Sequence, residues 1–146
     1  MEAKKELVYD ELPAGREFKP FVFPITRDFV SESIDIIGDR NPLYYDDEVA
    51  AKSPYGSIIA PHSIAGIYAR SSYLGDEYIM PPGGVLTKLD FEFFNPAKLG
   101  DVLTCNAKVI RREIKDGKRH ITIEIRAKNQ EGMPISTVRI FALWQK

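Results

Sequence analysis

DRNPLYYDDEVAAKSPYGSIIAPHSIAG, Asp39 to Gly66, joins an acidic turn, a glycine-containing loop and the start of an apolar helix in one run of chain. Pro42 fixes its own φ and pushes Asn41 out of the α region, so a preceding helix must stop before this turn and Asp39 lies just past its end. Downstream, Gly56 and Ser57 precede Ile58, Ile59 and Ala60, and Pro61 suits a first helical turn, whose leading N–H groups have no partner inside the helix. Such a helix start favours a developing oxyanion. The helix it opens is expected over 61–73. Ile64, Ala65, Ile67, Tyr68 and Ala69 supply its apolar residues, with Ser63, Gly66, Ser71 and Ser72 small enough to let it approach a curved sheet.

Working outward, Thr26 reads as an N-cap, Phe29, Val30, Ser33, Ile36 and Ile37 follow at helical spacing, and Gly38 is the stop. Before them, Phe18 to Ile25 is aromatic-rich but interrupted by Pro20 and Pro24, which confines it to a sheet edge. Residues 1–15 read as a polar arm crossing the surface. Asp46, Asp47 and Glu48 open a short helix through Lys52, with carboxylates where a helix N-terminus prefers them. After the central helix, 73–84 is an aperiodic connection. Leu89, Phe91 and Phe93 then alternate with charged neighbours, and two further runs, 101–115 and 118–129, meet at Asp116-Gly117, a strong hairpin signal. A last run spans 134–145. The expectation is an α+β fold, with one long central helix wrapped by a curved sheet of about five strands, mostly antiparallel and neighbouring in sequence order.

At 146 residues the chain fits one domain, 1–146. A net charge of −1 supplies no basic field for nucleic acid. Cys105, the one cysteine, excludes an internal disulfide and sits in a strand-like run. MEAKKELVYDEL lacks the apolar core of a leader, and no stretch approaches the roughly 20 apolar residues of a membrane span. A soluble protein of the reducing cytoplasm is expected. The two histidines have no partners at metal spacing and there is no Gly-rich phosphate loop, so neither metal nor cofactor is expected.

Asp39-x-Asn41-Pro42-Leu43, followed by Asp46, Ala50-Ala51 and Ile59-Ala60, resembles the signature of the MaoC-like (R)-specific enoyl-thioester hydratases and dehydratases. The resemblance runs over nearly the whole chain and implies the hot-dog fold. It implies a water held by an Asp and a His, and a backbone N–H at the central helix start that polarises the thioester carbonyl. Carried onto this chain, Asp39 is the acidic partner and Asn41 supports its turn. The histidine position holds Tyr44. The family's Ile-Ala-His-Gly reads here Ile59-Ala60-Pro61-His62, one place late. Both departures resemble the non-catalytic half of two-part acyl dehydratases, where a second hot-dog unit completes the Asp and His pair.

On this reading Asp39, Tyr44 and His62 are the candidate catalytic residues, and Asn41, Gly56, Ser57, Ala60 and Ser63 the candidate substrate-binding ones. The implied partners are an acyl thioester of coenzyme A or acyl carrier protein and a second hot-dog chain, identical or not. His120 alternates with Thr122 and Glu124 and reads as surface. Arg111, Arg112, Lys115, Lys118 and Arg119 form the densest basic cluster, suited to nucleotide phosphates or to charging a hairpin end. The alternatives are a non-catalytic acyl-binding subunit, a thioesterase and an acyl-thioester sensor. A thioesterase would need a carboxylate on the central helix, and 57–73 contains none.

Overall fold

The computed structural model describes residues 2–146. Thr26 caps α1, Arg27–Ile37, by accepting the Phe29 N–H at 3.2 Å, and Gly38 ends it in the left-handed region at φ 70°. Asp46 accepts the N–H groups of Glu48 and Val49 to start α2, Asp47–Ala51. The central helix α3 is Ala65–Leu74. A separate 3-10 turn, His62–Ile64, precedes it with Pro61 outside, so Pro61 is not in the first α-turn. Sequence spacing alone did not distinguish a 3-10 entry from an α one, because the two differ by half a residue per turn.

Five strands form one sheet: β2 (Phe21–Pro24), β4 (Val85–Phe93), β5 (Val102–Lys115), β6 (Lys118–Lys128) and β7 (Pro134–Trp144), in the order β2-β5-β6-β7-β4. All neighbours are antiparallel. Only β5, β6 and β7 lie in sequence order. The chain reaches β5 from β4 through the Asn95-Pro96 turn and crosses to the far side of the sheet, so two of the four neighbour pairs are sequential where most were expected to be. The Pro-interrupted β2 is an edge, as its prolines require. The β5–β6 hairpin turns on Asp116 and Gly117, at φ 54° and 72°, the paired left-handed geometry that an Asp-Gly loop supplies.

One face of this sheet is apolar: Leu103, Cys105, Ala107 and Val109 on β5, Ile121, Ile123 and Ile125 on β6, and Val138, Ile140 and Ala142 on β7 are all buried. Register stacks them across strands, with Val109 opposite Ile123 and Ile123 opposite Ile140. Helix α3 covers this face with Ala65, Tyr68, Ala69, Ser72 and Tyr73, spaced as one helical stripe. The helix in a curved antiparallel sheet is the hot-dog arrangement the resemblance implies. Of the small residues expected to allow close approach, only Ser72 faces the sheet; a side chain at Gly66 would meet open space. The intimate contact comes instead from Ala65 and Ala69. Tyr68 is fully buried and its hydroxyl pairs with Ser136. Burial pushes the Tyr68 phenol up to about 12, and likewise the thiol of Cys105 up to about 12, so neither ionises at neutral pH.

The expected polar arm over 1–15 has an apolar side. Leu7 and Leu12 are fully buried. β1, Lys5–Glu6, pairs in parallel with β3, Tyr78–Ile79, inside the connection expected to be irregular. The indole of Trp144 donates to the Leu7 carbonyl at 2.7 Å. Hairpin-end cations meet this arm: the Arg112 guanidinium lies 4.0 Å and that of Arg119 5.9 Å from the Tyr9 ring centre. Ile36 and Ile37 are exposed, and the buried face of α1 is Val30, Ser33 and Ile34. Thr122, expected outside, is buried, while His120 is half-exposed opposite Leu143. No helix is long and apolar enough to cross a membrane among the described residues.

If the arm is part of the core, Leu7→Ala should cost about 2–5 kcal/mol, the range for truncating a fully buried leucine. Urea unfolding of the two proteins measures it. A difference below about 0.5 kcal/mol would return residues 1–15 to the status of a surface appendage.

Candidate functional site

Gly38 closes α1 by donating its N–H to the Ile34 carbonyl at 2.9 Å, and the next three residues form a turn built from side-chain caps. Asp39 Oδ1 accepts the Asn41 N–H at 3.2 Å. Asn41 Oδ1 in turn accepts the Leu43 N–H at 3.1 Å, starting a 3-10 turn over Pro42–Tyr44. Short polar side chains favour such turns because they satisfy backbone donors that a helix would otherwise hold. Asp39 is exposed, and this bond uses one of its two carboxylate oxygens. The other is available to a ligand or a water.

Tyr44 is half-buried and packs against the main core. Its phenol is pushed above the ordinary tyrosine value by burial first, then by the negative charge of Asp39, then by Tyr55. The carboxylate and the phenol therefore share one local field. At neutral pH the phenol keeps its proton and donates; it does not take one. Tyr44, Ile58, Val30 and Leu99 line a hollow of about 150 Å³, room for a few waters at roughly 30 Å³ each.

The segment entering the central helix is held on both sides by backbone bonds. Ile59 donates to Leu43 O at 3.2 Å, Ala60 to Ala97 O at 2.8 Å, and Leu99 to Ile58 O at 2.9 Å. The Ala60 N–H is thus committed to the protein. Helical bonding begins only with Ile64, whose N–H reaches Pro61 O at 3.2 Å. The N–H groups of His62 and Ser63 precede that point and have no partner inside the helix. Ser63 is exposed and Ser57 half-buried. Gly56, at φ 72°, closes a turn on the Ser53 carbonyl at 3.1 Å, a shaping role.

His62 is exposed and stacks on Phe93, with ring centres 4.4 Å apart and planes 26° apart. It lines a narrow crevice with Pro61, Phe93 and Ala97, while Tyr44 lines the separate hollow described above. The structure therefore joins Asp39, Asn41 and Tyr44 in one unit and sets His62 and Ser63 in another. Sequence reasoning missed Phe93, Tyr55 and the Ala97–Leu99 tether. The Phe91 and Phe93 alternation marked a strand, but only the sheet order puts that strand beside the helix start. A hollow of about 690 Å³ lies elsewhere, between Phe18 and Phe21 on one side and Tyr73 and Leu74 on α3, with Arg16 and Asp76 among the charged residues that also line it. No group of three or more His, Cys, Asp or Glu is assembled to hold a metal among the described residues.

Residues 13–138 match the FAS1-like, dehydratase domain region family. The chain belongs to this family. Among its relatives is a UPF0336 protein of Saccharopolyspora erythraea, 26% identical over 139 residues, which span 89% of this chain and 87% of the relative. The fold superposes on the unliganded R-hydratase PhaJ1 of Pseudomonas aeruginosa with a TM-score of 0.80, at 24% identity over 97% of this chain and 87% of that one. It also superposes on the HadBC (3R-hydroxyacyl-ACP dehydratase) complex of Mycobacterium tuberculosis, with a TM-score of 0.78 at 20% identity over 89% of this chain and 96% of that one. At these identities the superpositions establish the hot-dog fold of this dehydratase-domain protein.

The shared field of Asp39 and Tyr44 has a direct readout. Asp39→Asn keeps an oxygen for the Asn41 N–H but removes the charge, so the Tyr44 phenol should titrate at lower pH than in the parent. The measurement is an ultraviolet pH titration of each protein, with Tyr44→Phe identifying the Tyr44 component. An unmoved titration would separate the two groups.

Proposed function

We propose that this chain binds an acyl thioester, carried on coenzyme A or an acyl carrier protein, and acts in the (R)-specific hydration of enoyl thioesters or the reverse dehydration of 3-hydroxyacyl thioesters. The observation that carries this reading is the Asp39 carboxylate, anchored through one oxygen on Asn41 and electrostatically coupled to Tyr44, in a chain of the dehydratase-domain family. In the hydration direction the free carboxylate oxygen takes a proton from a water oriented by the Tyr44 hydroxyl. The water oxygen bonds to the β-carbon, and the π electrons move to the α-carbon and thioester oxygen. The N–H groups of His62 and Ser63 face that oxygen's developing charge. Asp39 then returns the proton to the α-carbon.

Tyr44 supports a second reading. The resemblance places an imidazole at this position, and a phenol raised above its ordinary pKa of about 10 cannot exchange protons near neutrality. Here the chain serves as the acyl-binding subunit of a pair in which a second hot-dog chain supplies the complete Asp and His set. Pairing itself is part of both readings, because the free edge of β4 leaves strand hydrogen-bonding groups without a neighbour. A hydrolytic role has less support, since α3 carries no Asp or Glu.

Asp39→Asn should lower enoyl-thioester hydration by about 10² to 10⁴, the usual worth of one positioned acid or base, with an unchanged melting temperature. Undiminished turnover would remove Asp39 from the chemistry, and a lost fold would make it structural. Tyr44→His should raise the rate of the isolated chain, because an imidazole with an ordinary pKa of about 6.5 exchanges protons at neutral pH. A wild-type chain that turns over fully alone would rule out the subunit reading. One that binds no acyl thioester, alone or with a sibling chain, would remove both.

A further inference from the structure

The outer face of the sheet carries an ordered set of charges. Val138 and Ile140 are buried on the inner face, so the pleat turns Arg139 between them outward. Register then places Glu124 of β6 opposite Arg139, and Arg126 of β6 opposite Thr137 of β7, all on that outer face. The Glu124 side chain is only 13% exposed, and its carboxylate spends both oxygens on arginines. Oε1 accepts from Arg126 Nε at 2.8 Å and Oε2 from Arg139 Nε at 3.0 Å. A guanidinium has five N–H donors, and each of these bonds uses the one on Nε. The terminal amino groups, which carry the other four, are left for a further acceptor.

Arg126 and Arg139 border a hollow of about 580 Å³, which Lys128, Thr137, Glu92 and Phe94 also line. Three cations meet two carboxylates here, Glu124 and Glu92, so the hollow keeps a positive excess in a chain whose net charge is −1. Neighbouring guanidiniums repel each other, and Glu124 offsets one of their two charges while fixing the direction of both. An anion between the terminal nitrogens offsets the other. Phe94, half-exposed, adds an aromatic surface to the same hollow.

We propose that this hollow binds a phosphomonoester, its phosphoryl oxygens held by the terminal nitrogens of Arg126 and Arg139 and by the Lys128 ammonium, its organic part against Phe94. A planar guanidinium fork matches the spacing of two phosphoryl oxygens, and a phosphoryl group has three to share among three cations. A carboxylate, with two oxygens, is satisfied by one fork. The volume falls among small-molecule sites, roughly 300–1,000 Å³, and exceeds what a bare phosphate ion fills, so the ligand extends beyond its phosphoryl group. Neither the acidic turn nor the start of α3 lines this hollow, and the proposal stands apart from the acyl-thioester reading.

Titration calorimetry on the intact chain at constant ionic strength tests this, with inorganic phosphate and phenyl phosphate as probes. Both should bind, phenyl phosphate about tenfold more tightly through the ring contact. R126K and R139K keep each charge but replace a fork with a single ammonium, and each should weaken both probes about tenfold. The Arg126 side chain is 72% exposed, so R126K leaves the fold standing, and an unchanged melting temperature checks it for both variants. E92Q removes the carboxylate that borders the hollow and should tighten both probes about threefold. K115Q, which removes a cation at the hairpin end, should leave both within about twofold of the parent. Phe94→Ala should erase the advantage of phenyl phosphate and spare inorganic phosphate. A folded parent that binds neither probe at millimolar concentration would overturn the proposal. So would binding that R126K and R139K leave unchanged, or that K115Q weakens as much as they do, since either marks diffuse charge. Phenyl phosphate held no more tightly than inorganic phosphate would overturn the assigned ligand class.

Discussion

A ten-residue helix cannot cover one face of a five-stranded sheet, and that shortfall organises the molecule. α3 is about 15 Å long at 1.5 Å per residue, whereas five strands at about 4.8 Å spacing span roughly 19 Å before side chains are counted, and β5 alone runs for 14 residues. Tyr68 anchors the helix to β7 through its buried hydroxyl pair with Ser136. What α3 leaves open is closed by other means. Leu7 and Leu12 pack in from the N-terminal arm, Val30 from α1, and Ile58 and Ala60 from the segment entering α3. The β4 side receives no such cover, which is why the apolar residues there stay exposed.

The candidate site inherits its position from this patchwork. Its functional groups lie on turns, and turns are placed by the bonds that hold their backbones. The Ile58–Ala60 segment is tied to Leu43 on one side and to Ala97 and Leu99 on the other, so backbone bonds connect the acidic turn to the segment entering α3. This arrangement commits the Ala60 N–H and leaves those of His62 and Ser63. A mutation in the Ala97–Leu99 stretch would therefore disturb the spacing between the acidic turn and the start of α3 without touching either.

Local rules made much of the fold legible. Thr26 and Gly38 bound α1 because caps act within one turn, Asp116-Gly117 bends the hairpin because its backbone must be left-handed, and the prolines of 18–25 confine that run to an edge. The Asp39, Asn41 and Tyr44 unit was legible for the same reason, its members being separated by at most five residues. What sequence did not disclose is non-local. The crossing from β4 to β5, the burial of the arm under Trp144, and the stacking of Phe93 on His62 each depend on which distant segments meet. Ile36 and Ile37 misled because they continue a helical pattern past the point where the helix has anything to pack on. The small residues of α3 misled in the opposite way, since Ala65 and Ala69, not Gly66, make the close contact.

The position of Tyr44 bears on how chemistry is divided between chains. A carboxylate beside a phenol raises the phenol's pKa and strengthens its hold on its proton, and partial burial acts in the same direction. The more closely Asp39 and Tyr44 are coupled, the less Tyr44 can serve as a base and the better it serves as a hydrogen-bond donor. In the proposed hydration, proton acceptance then falls to Asp39 alone or to an imidazole brought from elsewhere. His62 belongs to another crevice and is stacked on Phe93, so within one chain it is poorly placed to share a water with Asp39. The imidazole that would complete a two-residue acid and base set must come from outside this turn. The His62 crevice is walled by Phe93, so it opens beside the exposed inner side of β4 and away from the acidic turn.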